Sequence, residues 1–229
     1  MRKATSIICY ILFLTTCLSA QKKERFTVMA GTKVEDCIPF QQMYRYPEFT
    51  EGKVFFKNGA HSGSKLNYNF LLGEMQYIQA KDTLSIANEK DISLVTVAGD
   101  TFYFDNGYLE LISGGQIKVC LKQFFELIET VKKDSYGSAG SGSATDSYST
   151  LQTPGKNYNL VINHDRIFEK TLKYYMATPT SGFVFFNKKQ VMQLFPQKKD
   201  AIQNYLKSNK VDFNSRNDLL RFADYLRTL

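Results

Sequence analysis

The chain has 229 residues, 43% of them hydrophobic and 14% aromatic, with 29 Lys and Arg against 22 Asp and Glu. That composition excludes a polar disordered chain and supplies enough apolar material for a sizeable core. The net charge of +7 is spread over scattered lysines, with only dyads such as Lys22-Lys23, Lys132-Lys133, Lys188-Lys189 and Lys198-Lys199, so a nucleic-acid-binding stripe is not expected.

The N-terminus carries Arg2 and Lys3, an apolar run over residues 7–14, and the small residues Ser19 and Ala20 before Gln21. A basic start, a short apolar stretch and a small-residue junction describe a secretory signal peptide, here residues 1–20. The run is too short to span a bilayer, which needs about 20 apolar residues. A second reading is open: "LTTC" at 14–17 resembles a lipoprotein box, although Thr16 fits it poorly. Peripheral membrane association is expected only if Cys17 is lipidated. Residues 21–229 are expected to form a single β-rich exported domain, periplasmic or secreted. Without Arg2 and Lys3 the net charge falls from +7 to +5. Cys9 and Cys17 leave with the leader, and an exported compartment permits a Cys37–Cys120 disulfide. Cys120, in "IKVCLKQF", reads equally well as a small buried hydrophobe.

From residue 26 to about 125 the apolar period is two. "KVFFK" (53–57), "KLNYNF" (65–70), "MQYIQ" (75–79), "TLSIA" (83–87), "ISLVTV" (92–97), "TFYF" (101–104), "YLELI" (108–112) and "IKVCLKQF" (117–124) follow one another. Turn signals separate them, among them Asn58-Gly59, Glu89-Lys90-Asp91, Gly99-Asp100 and Asp105-Asn106-Gly107. Short strands with tight connections predict an antiparallel meander forming a barrel- or sandwich-like sheet. A parallel sheet would need crossovers of a dozen or more residues.

One hairpin holds the candidate binding residues. In "KLNYNF" the side chains of Leu66, Tyr68 and Phe70 share a face and those of Asn67 and Asn69 the other; beyond Gly73, Met75 and Tyr77 alternate with Gln76 and Ile78. The apolar face is expected on a core and the amide face towards solvent, where Asn67, Asn69 and Gln76 with Glu74 would line a shallow groove.

The stretch 135–156 is dominated by Ser and Gly and reads as a loop interrupting the sheet. Just upstream, "FFELIETVKK" fits either a helix or a long strand. "YNLVI" (158–162), "TLKYYMA" (171–177) and "FVFF" (183–186) read as further strands. The period then changes over the tail 187–229. Asn187 can cap a short helix bearing Val191, Leu194 and Phe195; Pro196 suits the first turn of the next, with Ile202, Tyr205 and Leu206; Asn214 or Ser215 caps a last helix with Leu219, Phe222, Ala223 and Leu226. These helices are expected to pack on the sheet, so the fold class is α+β, mainly β.

"GKVFFKNG…KLNYNFLLGEMQYI", with the distant "LFPQKKDAIQNYLKSNKVDFNSRNDLLRFADYL", resembles a group of uncharacterised exported proteins common in Bacteroidetes. The likeness spans most of residues 21–229. It implies export, a β-rich fold and a cell-envelope setting, and it brings no activity, cofactor or catalytic residue.

Chemical motifs are sparse. His61 and His164 are the only histidines, and neither HExxH nor CxxC occurs, so no metal site is expected. "NHDR" (163–166) lacks the further histidines of a metal phosphohydrolase; no GxSxG is present; "TPGKNY" lacks the remainder of a P-loop. Glu74, Asp100, Asp105 and Glu110 lie near strand ends and would have to converge to act as paired carboxylates. With no tryptophan, a sugar-binding surface would use tyrosines, for which Tyr44, Tyr46, Tyr68, Tyr77, Tyr103 and Tyr108 are candidates. The expected function is a non-enzymatic binding or structural module of the envelope, without a cofactor, whose partner is an envelope protein or polysaccharide. The alternative is a hydrolase of envelope or glycan material using paired carboxylates. A third reading is electrostatic attachment to an anionic polymer or lipid surface, which requires one contiguous lysine face.

Overall fold

The computed structural model describes residues 24–133, 139–142 and 165–229. The signal peptide expected over residues 1–20, Cys17 within it, the strand expected at 158–162, His164 and most of the Ser/Gly-rich stretch lie outside the described residues. Within that stretch Ala139–Gly142 is a strand rather than loop.

Twelve antiparallel strands make one sheet among the described residues. In chain order they are β1 Arg25–Val28, β2 Thr50–Phe56, β3 His61–Asn69, β4 Glu74–Gln79, β5 Asp82–Ser85, β6 Ile92–Val97, β7 Asp100–Phe104, β8 Tyr108–Ser113, β9 Lys118–Lys133, β10 Ala139–Gly142, β11 Asp165–Ala177 and β12 Val184–Phe185. Their order in space is β1-β11-β9-β8-β7-β6-β2-β3-β4-β5, with β10 on β9 and β12 on β11. Two meanders, β2 to β5 and β6 to β9, are thus joined where β6 returns to pair with β2. The sheet is open, as a sandwich-like meander rather than a closed barrel. It also doubles back, because Phe125 N–H in β9 donates to Phe70 O just beyond β3, at 3.1 Å.

Gly52 marks the tightest passage in the sheet. A Cβ there would stand 2.5 Å from Thr96 O and 2.8 Å from Leu66 Cδ1, so no other residue fits without moving backbone. "FFELIETVKK" is strand: β9 runs 16 residues and pairs with β11 from Lys118 to Val131. Its helical spacing yields to pairing with β11, which continues on both sides of a register shift between Ile167 and Phe168.

The long β9–β11 ribbon carries two cores on one of its faces, one at each end. At the far end Phe125 and Phe168 join Val54, Leu66, Tyr68, Met75, Val95, Phe102 and Tyr108 in the first core. At the near end Val119 and Met176, direct register partners, join Phe186 and the helices in the second. Those helices are α3 Lys188–Leu194, α4 Lys199–Asn209 and α5 Arg216–Arg227, preceded at α4 by a 3-10 turn over Pro196–Lys198. Of their expected stripes Val191, Ile202, Leu219, Phe222, Ala223 and Leu226 are buried, while Leu194, Phe195, Tyr205 and Leu206 pack against them partly buried. Asn187 Oδ1 accepts from Gln190 N–H, and Ser215, not Asn214, caps α5 by accepting from Asp218 N–H. Arg227 then ties α5 to the sheet, donating from Nη2 to Ser113 Oγ, Gly114 O and Ile117 O around the β8–β9 turn.

Candidate functional site

The structure corrects the expectation for the amide face. Asn67 (0% exposed), Asn69, Glu74 and Gln76 are all buried. The cause is the chain between β1 and β2, which carries the single turns α1 Val34–Cys37 and α2 Phe40–Met43 and then crosses the hairpin. Tyr44 pairs with Asn69 as an antiparallel bridge, Arg45 N–H donates to Tyr68 O and Phe70 N–H to Met43 O. Phe40, Tyr44 and Phe49 form a continuous run of ring contacts over it.

Each buried amide is spent on the chain itself. Asn67 Oδ1 accepts from Tyr46 N–H at 3.0 Å, while its Nδ2 donates to Tyr46 O at 2.9 Å and Glu48 O at 3.3 Å. Asn69 Oδ1 accepts from the N–H groups of Leu71 and Leu72 and so shapes the β3–β4 turn. Gln76 Oε1 accepts from Tyr44 Oη at 2.8 Å and Asn69 Nδ2 at 3.2 Å; its Nε2 donates to Ser85 Oγ, which in turn donates to Glu74 Oε2. A side chain whose donors and acceptors are used internally has little left for a ligand. Asn67, Asn69, Glu74 and Gln76 are brought together as a structural network.

The strand-end acids separate into three places. Asp100 and Glu110 converge on Arg45, which donates to both Glu110 oxygens at 2.9 Å and to Asp100 Oδ2 at 3.2 Å. Tyr46 Oη also donates to Asp100, at 2.9 Å. These two carboxylates therefore hold a cation and a phenol of their own chain. Glu74 belongs to the amide network, and Asp105 stands near Lys122 and Tyr175.

Glu89 was legible only as part of a turn, yet it is buried at the edge of the first core. Burial chiefly, and then the charge of Glu74, push its carboxyl up to about 7. Among the described residues the buried Tyr108 hydroxyl has no hydrogen-bond partner of ordinary geometry, although it is close enough to Glu89 for each to shift the other's titration.

Cys37 and Cys120 are both free thiols, so the disulfide held open above is not formed. Cys37 packs on the first core, whereas Cys120 lies on the opposite face of β9, where burial pushes its thiol up to about 12. It is the small buried hydrophobe of the second reading.

That opposite face of β9 and β11 is the surface the sequence reading missed. Lys118, Cys120, Lys122 and Phe124 alternate along β9, and Thr171, Lys173, Tyr175 and Ala177 stand opposite them on β11. Cys120, Phe124 and Ala177 are buried but belong to neither core. Rings and lysine stems stand on the same face. Tyr175 stacks on Phe185 at 4.6 Å between centroids, and Tyr103 meets Phe183 at 5.4 Å. Lys118 Nζ lies 4.6 Å from the centre of the Tyr103 ring, and Phe124 is approached by Lys173 at 4.9 Å and Lys122 at 5.7 Å. Phe185 remains 47% exposed. Lys122 reaches back to Asn106 O at 2.8 Å, passing over Gly107, whose φ of +115° and missing Cβ make room for it. Burial and the neighbouring Lys173 hold the Lys122 ammonium below the usual lysine range. Of the tyrosines singled out, Tyr103 lies here, while Tyr46, Tyr68 and Tyr108 are buried in the first core.

A signal for this face does exist in the alternation K-x-C-x-K-x-F at 118–124 and T-x-K-x-Y at 171–175. Attention to adjacent lysine dyads hides it, because residues two apart, not neighbours, share a sheet face. Among the described residues no group of three or more His, Cys, Asp or Glu side chains is placed to hold a metal ion, and no helix is long and apolar enough to cross a membrane. No family model, no curated protein and no solved structure matches the chain.

Proposed function

We propose that this chain is an exported, non-enzymatic binding module of the bacterial cell envelope, and that it meets a polysaccharide through the outer face of β9, β11 and β12. The observation that carries the reading is the stacked Tyr175–Phe185 pair, with Phe185 half exposed, set beside Lys118, Lys122 and Lys173 on one side of the sheet. Flat rings offer the apolar faces of sugars an area to lie on, and ammonium groups donate to hydroxyl or acidic oxygens. The N-terminal leader pattern and the resemblance to exported Bacteroidetes proteins support the envelope setting.

The hydrolase alternative finds its nearest counterpart in Glu74 and Glu89, whose carboxyls feel each other's charge. Both are buried, and Glu74 is engaged by Ser85, which favours a role in the fold. Affinity electrophoresis through gels containing purified envelope polysaccharide tests the proposal. The native protein should be retarded, and the double variant Tyr175→Ala, Phe185→Ala should run freely while keeping its far-ultraviolet circular dichroism. Equal mobility of the native protein with and without polysaccharide would sink the reading.

A further inference from the structure

The lysines of the outer face are arranged at a cost. Lys122 and Lys173 are direct cross-strand partners in the β9–β11 register, and like charges at such positions repel. Both ammonium groups also crowd one ring, that of Phe124. Among the described residues the compensation is partial. Glu126 lies 3.7 Å from Lys173 but also accepts from Thr171 Oγ1 at 2.9 Å, and Lys122 has the neutral Asn106 carbonyl. Asp105 contributes at longer range. Solvent-exposed lysines can swing apart to relieve such a contact, but Lys122 is held over Gly107 and half-buried.

Resting on the reading above, we infer that the Lys122–Lys173 pair is the seat for an acidic group of the polysaccharide, a carboxylate or sulfate on the sugar, with the Tyr175–Phe185 stack supporting the adjoining residue. An anion placed between the two ammonium groups converts their repulsion into two attractions. The rings favour a sugar over a lipid headgroup: a stacked pair with Phe185 half exposed gives the apolar face of a sugar residue a surface beside the charge, which a headgroup phosphate alone would not use.

The test compares three probes on the full mature chain: polygalacturonate, a neutral galactan of similar length, and phosphatidylglycerol vesicles. Polygalacturonate should bind about tenfold more tightly than the galactan, and raising ionic strength towards about 0.5 M should erase the difference. The double variant Lys122→Gln, Lys173→Gln removes both charges and keeps most of the unbranched stem, so it should lose the preference and stay within a few degrees of the native melting temperature. Equal binding of both polysaccharides, both abolished by Tyr175→Ala with Phe185→Ala, would overturn this inference and leave the platform reading standing. Binding to neither polysaccharide would overturn both. Binding to the vesicles but not to polygalacturonate would replace the sugar with a lipid surface and likewise overturn the inference.

Discussion

The β3–β4 hairpin and the β9–β11 ribbon begin from the same pattern, apolar side chains alternating with polar ones, and end in opposite states. In the hairpin the polar alternates Asn67, Asn69, Glu74 and Gln76 are covered and bonded to the chain that covers them. In the ribbon the polar alternates Lys122 and Lys173 stand on an outer face whose rings are partly exposed. The two differ in what crosses them. Residues 39–49 lie over the hairpin and provide backbone groups that amides can satisfy on both their donor and acceptor sides. A lysine has donors alone and a charge that resists burial, so the ribbon's lysines stay at the surface with their stems along Phe124 and Tyr103. Amides at alternate strand positions therefore suit a buried clamp, and lysines an accessible face.

This contrast can be broken most directly at Asn67. Replacing Asn67 with Ala strands Tyr46 N–H and the carbonyls of Tyr46 and Glu48, and should cost about 2–4 kcal/mol in urea denaturation with polysaccharide binding per folded molecule unchanged. A loss under about 0.5 kcal/mol would mean that the amide is surface decoration after all.

A smaller effect is expected from pH. The Glu89 carboxyl titrates near 7 in the folded chain and near 4.5 when unfolded, so between these values the folded state holds the extra proton. Its stabilising contribution is complete below about 4.5, declines as pH rises and is gone once pH has passed through about 7. Denaturant midpoints measured from pH 5 to 8 should fall by an amount equivalent to about 1–3 kcal/mol, and Glu89→Gln should flatten that slope. A native midpoint that climbs over this range would contradict the burial of a protonated acid.

The smallest effect belongs to the ribbon. Lys122→Gln removes one member of a repelling pair, so stability should shift by no more than about 0.5 kcal/mol, upward if at all. Thermal melting checks this. A large loss would show that the lysines hold the fold together, making ribbon and hairpin the same kind of structure.

Much of the fold could be read from residue order. "ISLVTV" became β6 and "KLNYNF" the inner part of β3, since β-branched and aromatic residues at period two have one sensible use beside Gly- and Asn-rich turns. The stripe Leu219, Phe222, Ala223 and Leu226 likewise faces a core. "FFELIETVKK" was ambiguous because its apolar spacing serves both periods; pairing with β11 as far as Val131, and with β10 over Thr130 to Lys133, decided it. The candidate site was less legible. Asn67 and Glu74 sit on the non-core face of their hairpin as the alternation requires, but alternation says which side a residue faces and nothing about what lies on that side. Glu89, in a run of turn residues, carried no sign of burial.

The order of residues by itself determined most of the strand and helix segments, their inward faces and the cap at Asn187, because these depend on contacts within a few positions along the chain. Only the tertiary structure decided that residues 39–49 would close over the amides, that Arg45 would gather Asp100 and Glu110, and that Lys122 would stand opposite Lys173. Each of these joins residues 19 to 65 positions apart, and such meetings follow from strand register and chain crossing, which local periodicity does not encode.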